Sequence, residues 1–254
     1  MTWIAALIGY AMGVFLNLCA DYLPASPRPA ALGMPRCHAC GSERRPLSLA
    51  GVVADLLRWS CCPQCGAGRR LREPLVEAGT AALFAFLAYR YGFTLQFAFM
   101  AAYFSVLVLV LVTDLEHRLI FRVVMFPAMA VALVGSFFLP NMTPVKALIG
   151  GTVAVAPFYL AAITYRAIAH REGFGGGDIM LLAFVGFATG FPVVLVAVIV
   201  AILLGGLGSL ALLVAQRGGL RTYLAYGPYL VLGGAFALLY GRNLLLWYLT
   251  PYAQ

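Results

Sequence analysis

Charge is scarce in this chain. Only 10% of its 254 residues are charged, against about 25% in a soluble domain. With 63% hydrophobic residues and a mean hydropathy of +0.94, that scarcity excludes a water-soluble monomer. Alternation at period two is missing as well. The apolar runs are continuous, whereas the strands of an outer-membrane barrel read apolar-out and polar-in over about ten residues, so a barrel fits poorly. The first apolar stretch, residues 1–20, lacks both a basic leader and a small-residue cleavage site, so it is expected to be a retained span and not a removed signal. No HExxH occurs, no serine sits in a nucleophile setting, and no Gly-Lys-Ser/Thr follows the glycine run 175–177. Zincin, serine-hydrolase and phosphate-cradling chemistries therefore lack their usual residues. The net charge of +8 comes without a soluble basic surface interleaved with aromatics, which leaves membrane lipid and not nucleic acid as the partner of that charge.

What is present suffices for an all-α polytopic membrane protein with about eight spans of roughly 20 residues and one polar insert. The expected spans are 3–20, 74–90, 96–113, 121–139, 145–169, 179–190, 192–215 and 226–249. The sixth is short, bounded by the glycine run and by Gly190-Phe191-Pro192. On this map the loop 21–73 carries eight arginines, and Arg118, Arg122, Arg166, Arg171, Arg217 and Arg221 join it on the same side, making 14 of the 17 basic residues. Arg90, Lys146 and Arg242 make the remaining 3. The positive-inside rule then puts the loop in the cytoplasm and the N-terminus outside. All nine acidic residues fall at the inner face too, which the rule does not require, so charge-dependent chemistry is expected there.

The polar insert holds Cys37-His-Ala-Cys40 and, 21 residues on, Cys62-Pro-Gln-Cys65. Two such pairs can deliver four thiolates to one tetrahedral structural Zn²⁺ with no open position for a substrate water. Redox-active or free cysteine pairs are the other reading. Cys61 offers itself as a substitute for Cys62, Cys19 reads as a packing residue in the first span, and His38 and His170 read as solvated loop residues. The expected division is a first helix over 1–20, a tetracysteine loop over 21–73 and a membrane domain over 74–254.

Asp114 follows a long apolar run and Asp178 ends Gly-Phe-Gly-Gly-Gly-Asp. A carboxylate at the edge of hydrocarbon is costly to ionise and marks function by default. If packing brings the two together, like-charge repulsion makes them share a proton. One can then deprotonate a water while the other polarises a peptide carbonyl, which is aspartyl protease chemistry. Gly175, Gly176 and Gly177 are expected to form a loop that lets an extended substrate approach closely. Two other readings use the same residues: solvated boundary charges, with Asp178 capping a helix and Asp114 ending one beside Arg118, or a metal held by Asp114, Glu116 and His117. Paired edge carboxylates also serve proton relays in transporters, and a zinc-loop assembly scaffold without activity uses the same insert.

Taken in order, these features resemble the type IV prepilin peptidases, aspartyl proteases with a GxGD motif. Gly13-Val-Phe-Leu-Asn17 resembles the family's Gly-Ser-Phe-Leu-Asn, the tetracysteine insert has its spacing, and Arg72-Glu-Pro-Leu-Val-Glu77 resembles Arg-Tyr-Pro-Leu-Val-Glu. Gly175-Gly-Gly-Asp178 matches GxGD, and Tyr226-Gly-Pro-Tyr229 resembles Phe-Gly-Pro-Phe/Tyr. The resemblance implies cleavage of the basic leader of type IV prepilins and type II secretion pseudopilins at the cytoplasmic membrane face, with Asp114 and Asp178 as the catalytic pair. It also implies N-methylation of the new N-terminus by S-adenosylmethionine, with methyl-transfer or supporting roles for Asn17 and Glu77. Three stretches depart from the pattern: Ile120-Phe121-Arg122 stands for Ile/Leu-Pro-Asp, Met180 for a lysine, and Arg45-Pro-Leu-Ser-Leu-Ala50 lacks Asn-Ile-Pro.

Overall fold

The computed structural model describes residues 2–24, 37, 40–42, 51–52, 62, 64–68, 70–169, 175–214 and 226–250. His38, Cys61 and His170, and the stretch 45–50, lie outside the described residues. Among the described residues the regular structure is helical: α1 (Thr2–Tyr22), α2 (Arg72–Tyr91), α3 (Leu95–His117), α4 (Arg122–Phe138), α5 (Pro144–Ala169), α6 (Gly176–Thr189), α7 (Val194–Val214), α8 (Gly227–Phe236) and α9 (Arg242–Leu249). A π-helical turn, Ala237–Gly241, joins α8 to α9 without a break.

The expectation of about eight spans is corrected in one respect. Five stretches are long and apolar enough to cross a membrane unaided: Thr2–Tyr22, Leu95–His117, Pro144–Ile168, Val194–Ala211 and Gly227–Leu249. The other expected spans are helices, but α4 has 17 residues and α6 has 14. At 1.5 Å per residue these rise about 26 and 21 Å, short of a hydrocarbon core of about 30 Å. The third shortfall is one of charge: α2 is long enough but carries Arg72, Glu73, Glu77 and Arg90.

The chain forms two compact units, Met1–Leu109 and Val110–Gln254. In the first, α1 and α2 pair along a seam of small residues. Gly9 meets Thr80 and Phe84, and Gly13 meets the Glu77 backbone, where an added Cβ would stand 2.7 Å from Glu77 Cα. Residues four apart share a helix face, and small side chains there let backbones close up, the usual basis of helix pairing in lipid. At the end of the seam Asn17 Nδ2 donates to Glu73 O at 2.9 Å, and Arg72 pairs with Asp21 at 2.6 Å. Phe84 stacks edge-on against Phe97 of α3, with centroids 6.1 Å apart.

In the second unit α6 is the central helix, packed against α5, α4 and α8, while α7 packs on α8. Its Leu181, Leu182, Phe184, Val185, Gly186, Ala188 and Thr189 are all buried. Gly150 and Gly186 meet backbone to backbone, so α5 and α6 cross at close range. Gly190 ends α6 with a φ of +69° and its N–H donates to Gly186 O, a conformation that glycine adopts without strain. Elsewhere in this unit Arg242 donates to Asn141 Oδ1 at 3.0 Å, joining the start of α9 to the turn between α4 and α5.

Candidate active site and metal centre

Asp114 lies one turn before the end of α3, and only 5% of it is exposed. It is therefore not a solvated boundary charge. Its Oδ2 is buried without a hydrogen-bond partner, which is costly for a carboxyl group unless a substrate, water or proton completes it. The room for that oxygen comes from Gly227, the first residue of α8: a Cβ there would overlap Asp114 Oδ2 and stand 2.8 Å from its Cγ.

Asp178 occupies the third position of α6, and its N–H donates to Gly175 O at 3.1 Å. The cap residue is Gly175, without a side-chain cap, so Asp178 is not the helix cap. It stands in the first turn, where the helix dipole favours a carboxylate. Asp178 is half-buried and close enough to Asp114 for one charge to act on the other. The structure thus brings together the two aspartates, 64 positions apart in sequence by their numbers. The three glycines play different parts. Gly175 is extended, Gly176 has open space around it, and Gly177 abuts Ile120, where a Cβ would stand 2.7 Å from Ile120 Cβ. Gly176 and Gly177 are the first turn of α6, where the sequence reading expects a loop.

Tyr226, just before Gly227, stacks loosely with Phe158 and Tyr229, at centroid separations of 6.4 and 6.5 Å, and lies over Gly205 of α7. Tyr226 lies close enough to Asp178 for the carboxyl charge to act on it. Residues 226–227 therefore reach towards both aspartates, a role the motif resemblance does not announce. A metal at Asp114, Glu116 and His117 is not formed: among the described residues the four cysteines are the grouping that gathers metal-type ligands, and His117 faces Glu116 at 3.7 Å.

Those cysteines form a second centre in the first unit. The ligand atoms of Cys37, Cys40, Cys62 and Cys65 all lie within 4.8 Å of one another. The Cys37–Cys65 and Cys40–Cys62 sulfurs are both 3.7 Å apart. A tetrahedron with Zn–S bonds of about 2.3 Å has edges of about 3.8 Å, so the residues fit a zinc ion. Each pair builds the same turn: Gly41 N–H donates to Cys37 O and Cys37 N–H to Ser42 O, both at 2.8 Å, while Gly66 N–H donates to Cys62 O and Cys62 N–H to Ala67 O, at 2.9 and 3.0 Å. Gly41 and Gly66 have φ of +71° and +69°. The glycine after each second cysteine is the signal in the sequence that marks these turns. The Ser42 hydroxyl, with the N–H groups of Cys65 and Gln64, draws the Cys62 thiol down to about 5. Cys65 is lowered by the Ala67 N–H, yet Cys40, burial, Cys37 and Cys62 together push it up to about 12. Four sulfurs this close do not all ionise without a cation among them.

Glu77 and Asn17 sit in the α1–α2 pair. Glu77 is fully buried and accepts hydrogen bonds from Gly51 N–H at 2.7 Å and Val52 N–H at 3.0 Å. Asn17, 5% exposed, keeps its Oδ1 unpaired. Cys19 is half-buried, as a packing residue would be.

Residues 101–210 match the type IV leader peptidase family, and residues 7–91 match the bacterial peptidase A24 N-terminal domain. The prepilin leader peptidase/N-methyltransferase of Bacillus subtilis is 30% identical over 219 residues, covering 84% of this chain and 84% of its own length. The chain belongs to the type IV leader peptidase family. A protein of the same name from Pseudomonas aeruginosa is 28% identical over 265 residues, with 96% of this chain and 91% of the relative covered. Another, from Xanthomonas campestris, is 32% identical over 181 residues, with 70% and 62% covered. No solved structure matches the chain. As expected of this leader peptidase family, the chain is a multi-pass membrane protein by its five spanning helices.

Proposed function

We propose that this chain removes the basic leader of type IV prepilins and type II secretion pseudopilins by a two-aspartate mechanism and N-methylates the residue so exposed. The observation that carries the peptidase reading is Asp114, buried and with one oxygen unpaired, within electrostatic reach of Asp178. Two neighbouring carboxyls hold one proton between them. The ionised one takes a proton from water as the oxygen attacks the scissile carbonyl carbon. The protonated one hydrogen-bonds the carbonyl oxygen as negative charge develops there. Collapse of the resulting diol breaks the C–N bond, and a carboxyl returns a proton to the leaving amine. Within this reading, residues 74–254 carry the proteolysis, and the 21-Å rise of α6 supports a site set into the membrane edge. The inner bacterial membrane, with the N-terminus outside and the cysteine loop in the cytoplasm, is the placement that presents a basic leader to an acidic face.

The 21–73 segment is read as the module that serves methyl transfer. Zn²⁺ bound at Cys37, Cys40, Cys62 and Cys65 supplies structure and not catalysis, since four thiolates fill its coordination sphere. S-adenosylmethionine is the methyl donor, with Asn17 and Glu77 as supporting residues. The relatives' shared name, prepilin leader peptidase/N-methyltransferase, and the preformed cysteine cluster support this half.

The test is incubation of the purified protein with a membrane-inserted prepilin and labelled S-adenosylmethionine, followed by intact mass of the product. Wild type should release the leader and add one methyl group. Asp114→Asn and Asp178→Asn should each lower cleavage by at least about a thousandfold, the scale of a lost general acid or base, while still inserting and folding. Retained cleavage in both variants would sink the mechanism.

A further inference from the structure

The segment between the two cysteine pairs is held at a third point, away from the cysteines. Gly51 and Val52 lie 11 and 10 residues from Cys40 and Cys62 by their numbers, near the middle of the segment. Both backbone N–H groups donate to one carboxylate, Glu77 of α2, at 2.7 and 3.0 Å, and Glu77 is 0% exposed. The approach depends on glycine: a Cβ on residue 51 would stand 3.0 Å from Glu77 Oε1 and 3.2 Å from Pro74 N. On its other side the Glu77 backbone is the surface against which Gly13 of α1 closes. One residue thus joins the α1–α2 seam to the middle of the cysteine segment.

We propose that Glu77 is a positioning residue, a latch whose carboxylate pins the middle of the cysteine segment to the α1–α2 pair and so holds the metal module in place for methyl transfer. The functional half rests on the reading given under Proposed function; the latch itself does not. A carboxylate receiving two backbone N–H bonds is a charge-assisted pair, stronger than neutral ones and geometrically specific. Glutamine is nearly isosteric but offers one acceptor oxygen and turns an NH₂ towards the other backbone donor. Glu77→Gln therefore opens the latch from the helix side, and Gly51→Ala opens it from the segment side.

The experiment compares wild type, Glu77→Gln, Gly51→Ala and the double variant, all zinc-loaded and in detergent or nanodiscs. The readouts are hydrogen exchange over residues 51–52, bound zinc, leader cleavage and methyl transfer. Both single variants should exchange about tenfold to a hundredfold faster at 51–52, the scale of a lost bond to a charged group. They should keep one zinc per chain and keep cleavage within about threefold, while methyl transfer drops by about tenfold or more. The double variant should be no worse than either single one, because both break one contact. Unchanged exchange in Glu77→Gln, effects that add in the double variant, or cleavage and methyl transfer falling in parallel overturn the latch. If wild type itself transfers no methyl group, the methyltransferase reading falls, and the exchange and double-variant results still decide the latch.

Discussion

Adding one methyl group at Gly227 should inactivate proteolysis while leaving the protein folded. The new Cβ would overlap Asp114 Oδ2 and stand 2.8 Å from Cγ and 3.5 Å from Cβ of the same residue. Gly227 opens α8 with the residue before it in a helical conformation, so alanine suits the backbone and gains up to about 1 kcal/mol of helix propensity. The overlap must be relieved either by turning the Asp114 side chain off its rotamer, at about 0.5–1.5 kcal/mol, or by shifting α8, with an overpacking cost of about 1–3 kcal/mol. The net effect on stability lies between a gain of about 0.5 kcal/mol and a loss of about 3 kcal/mol. Catalysis is far more sensitive, because a displacement of about 1 Å at a reacting group can cost about a hundredfold. Gly227→Ala should therefore lower the first-order rate of leader release at saturating enzyme by about a hundredfold. Its thermal unfolding in the same detergent should shift by no more than a few degrees. Gly206→Ala, in α7 and outside the site, is the matched control, since its Cβ meets nothing within 4 Å. A Gly227→Ala protein that cleaves within threefold of wild type would refute the claim that Asp114 works from this position.

Gly177→Ala should not be a neutral change: its Cβ meets the branched Cβ of Ile120 at 2.7 Å, so cleavage should fall at least tenfold and be partly restored by a second change that removes that Cβ, Ile120→Gly, in the same leader-release assay. Changing Cys37 or Cys65 to serine should remove the metal, seen as loss of one zinc per chain by mass spectrometry of the native protein, and raise protease sensitivity between residues 40 and 62; wild type purified free of metal would contradict the assignment. Asp21→Asn should cost less than about 1 kcal/mol, because Asp21 in the Arg72 pair is 48% exposed and screened by water; a larger loss in chemical denaturation would show that the pair carries more of the α1–α2 association than its exposure suggests.

Much of the architecture was legible because hydrocarbon imposes a coarse and repetitive demand. The expected 74–90 and 179–190 became Arg72–Tyr91 and Gly176–Thr189, and both end at glycines, Gly92 and Gly190, with φ of +64° and +69°. Hydropathy marks where a helix runs but not whether it reaches across, which is why α4 and α6 counted as spans and proved too short. The chemistry-bearing side chains were legible for a different reason. Aspartates at the edge of apolar runs and cysteines in spaced pairs are expensive or reactive wherever they stand, so residue type and spacing alone single them out. What composition cannot show is the partner of a residue that has no side chain. Gly227 means nothing until α8 is laid on Asp114, Gly51 nothing until its N–H meets Glu77, and Gly9 and Gly13 nothing until α2 closes on α1. In each case a methyl group is missing where another element must approach, and the element it admits is distant in sequence. The glycines are therefore the complement of the charged residues here: the few charges say where chemistry is placed, and the glycines say which helices had to come close enough to make it.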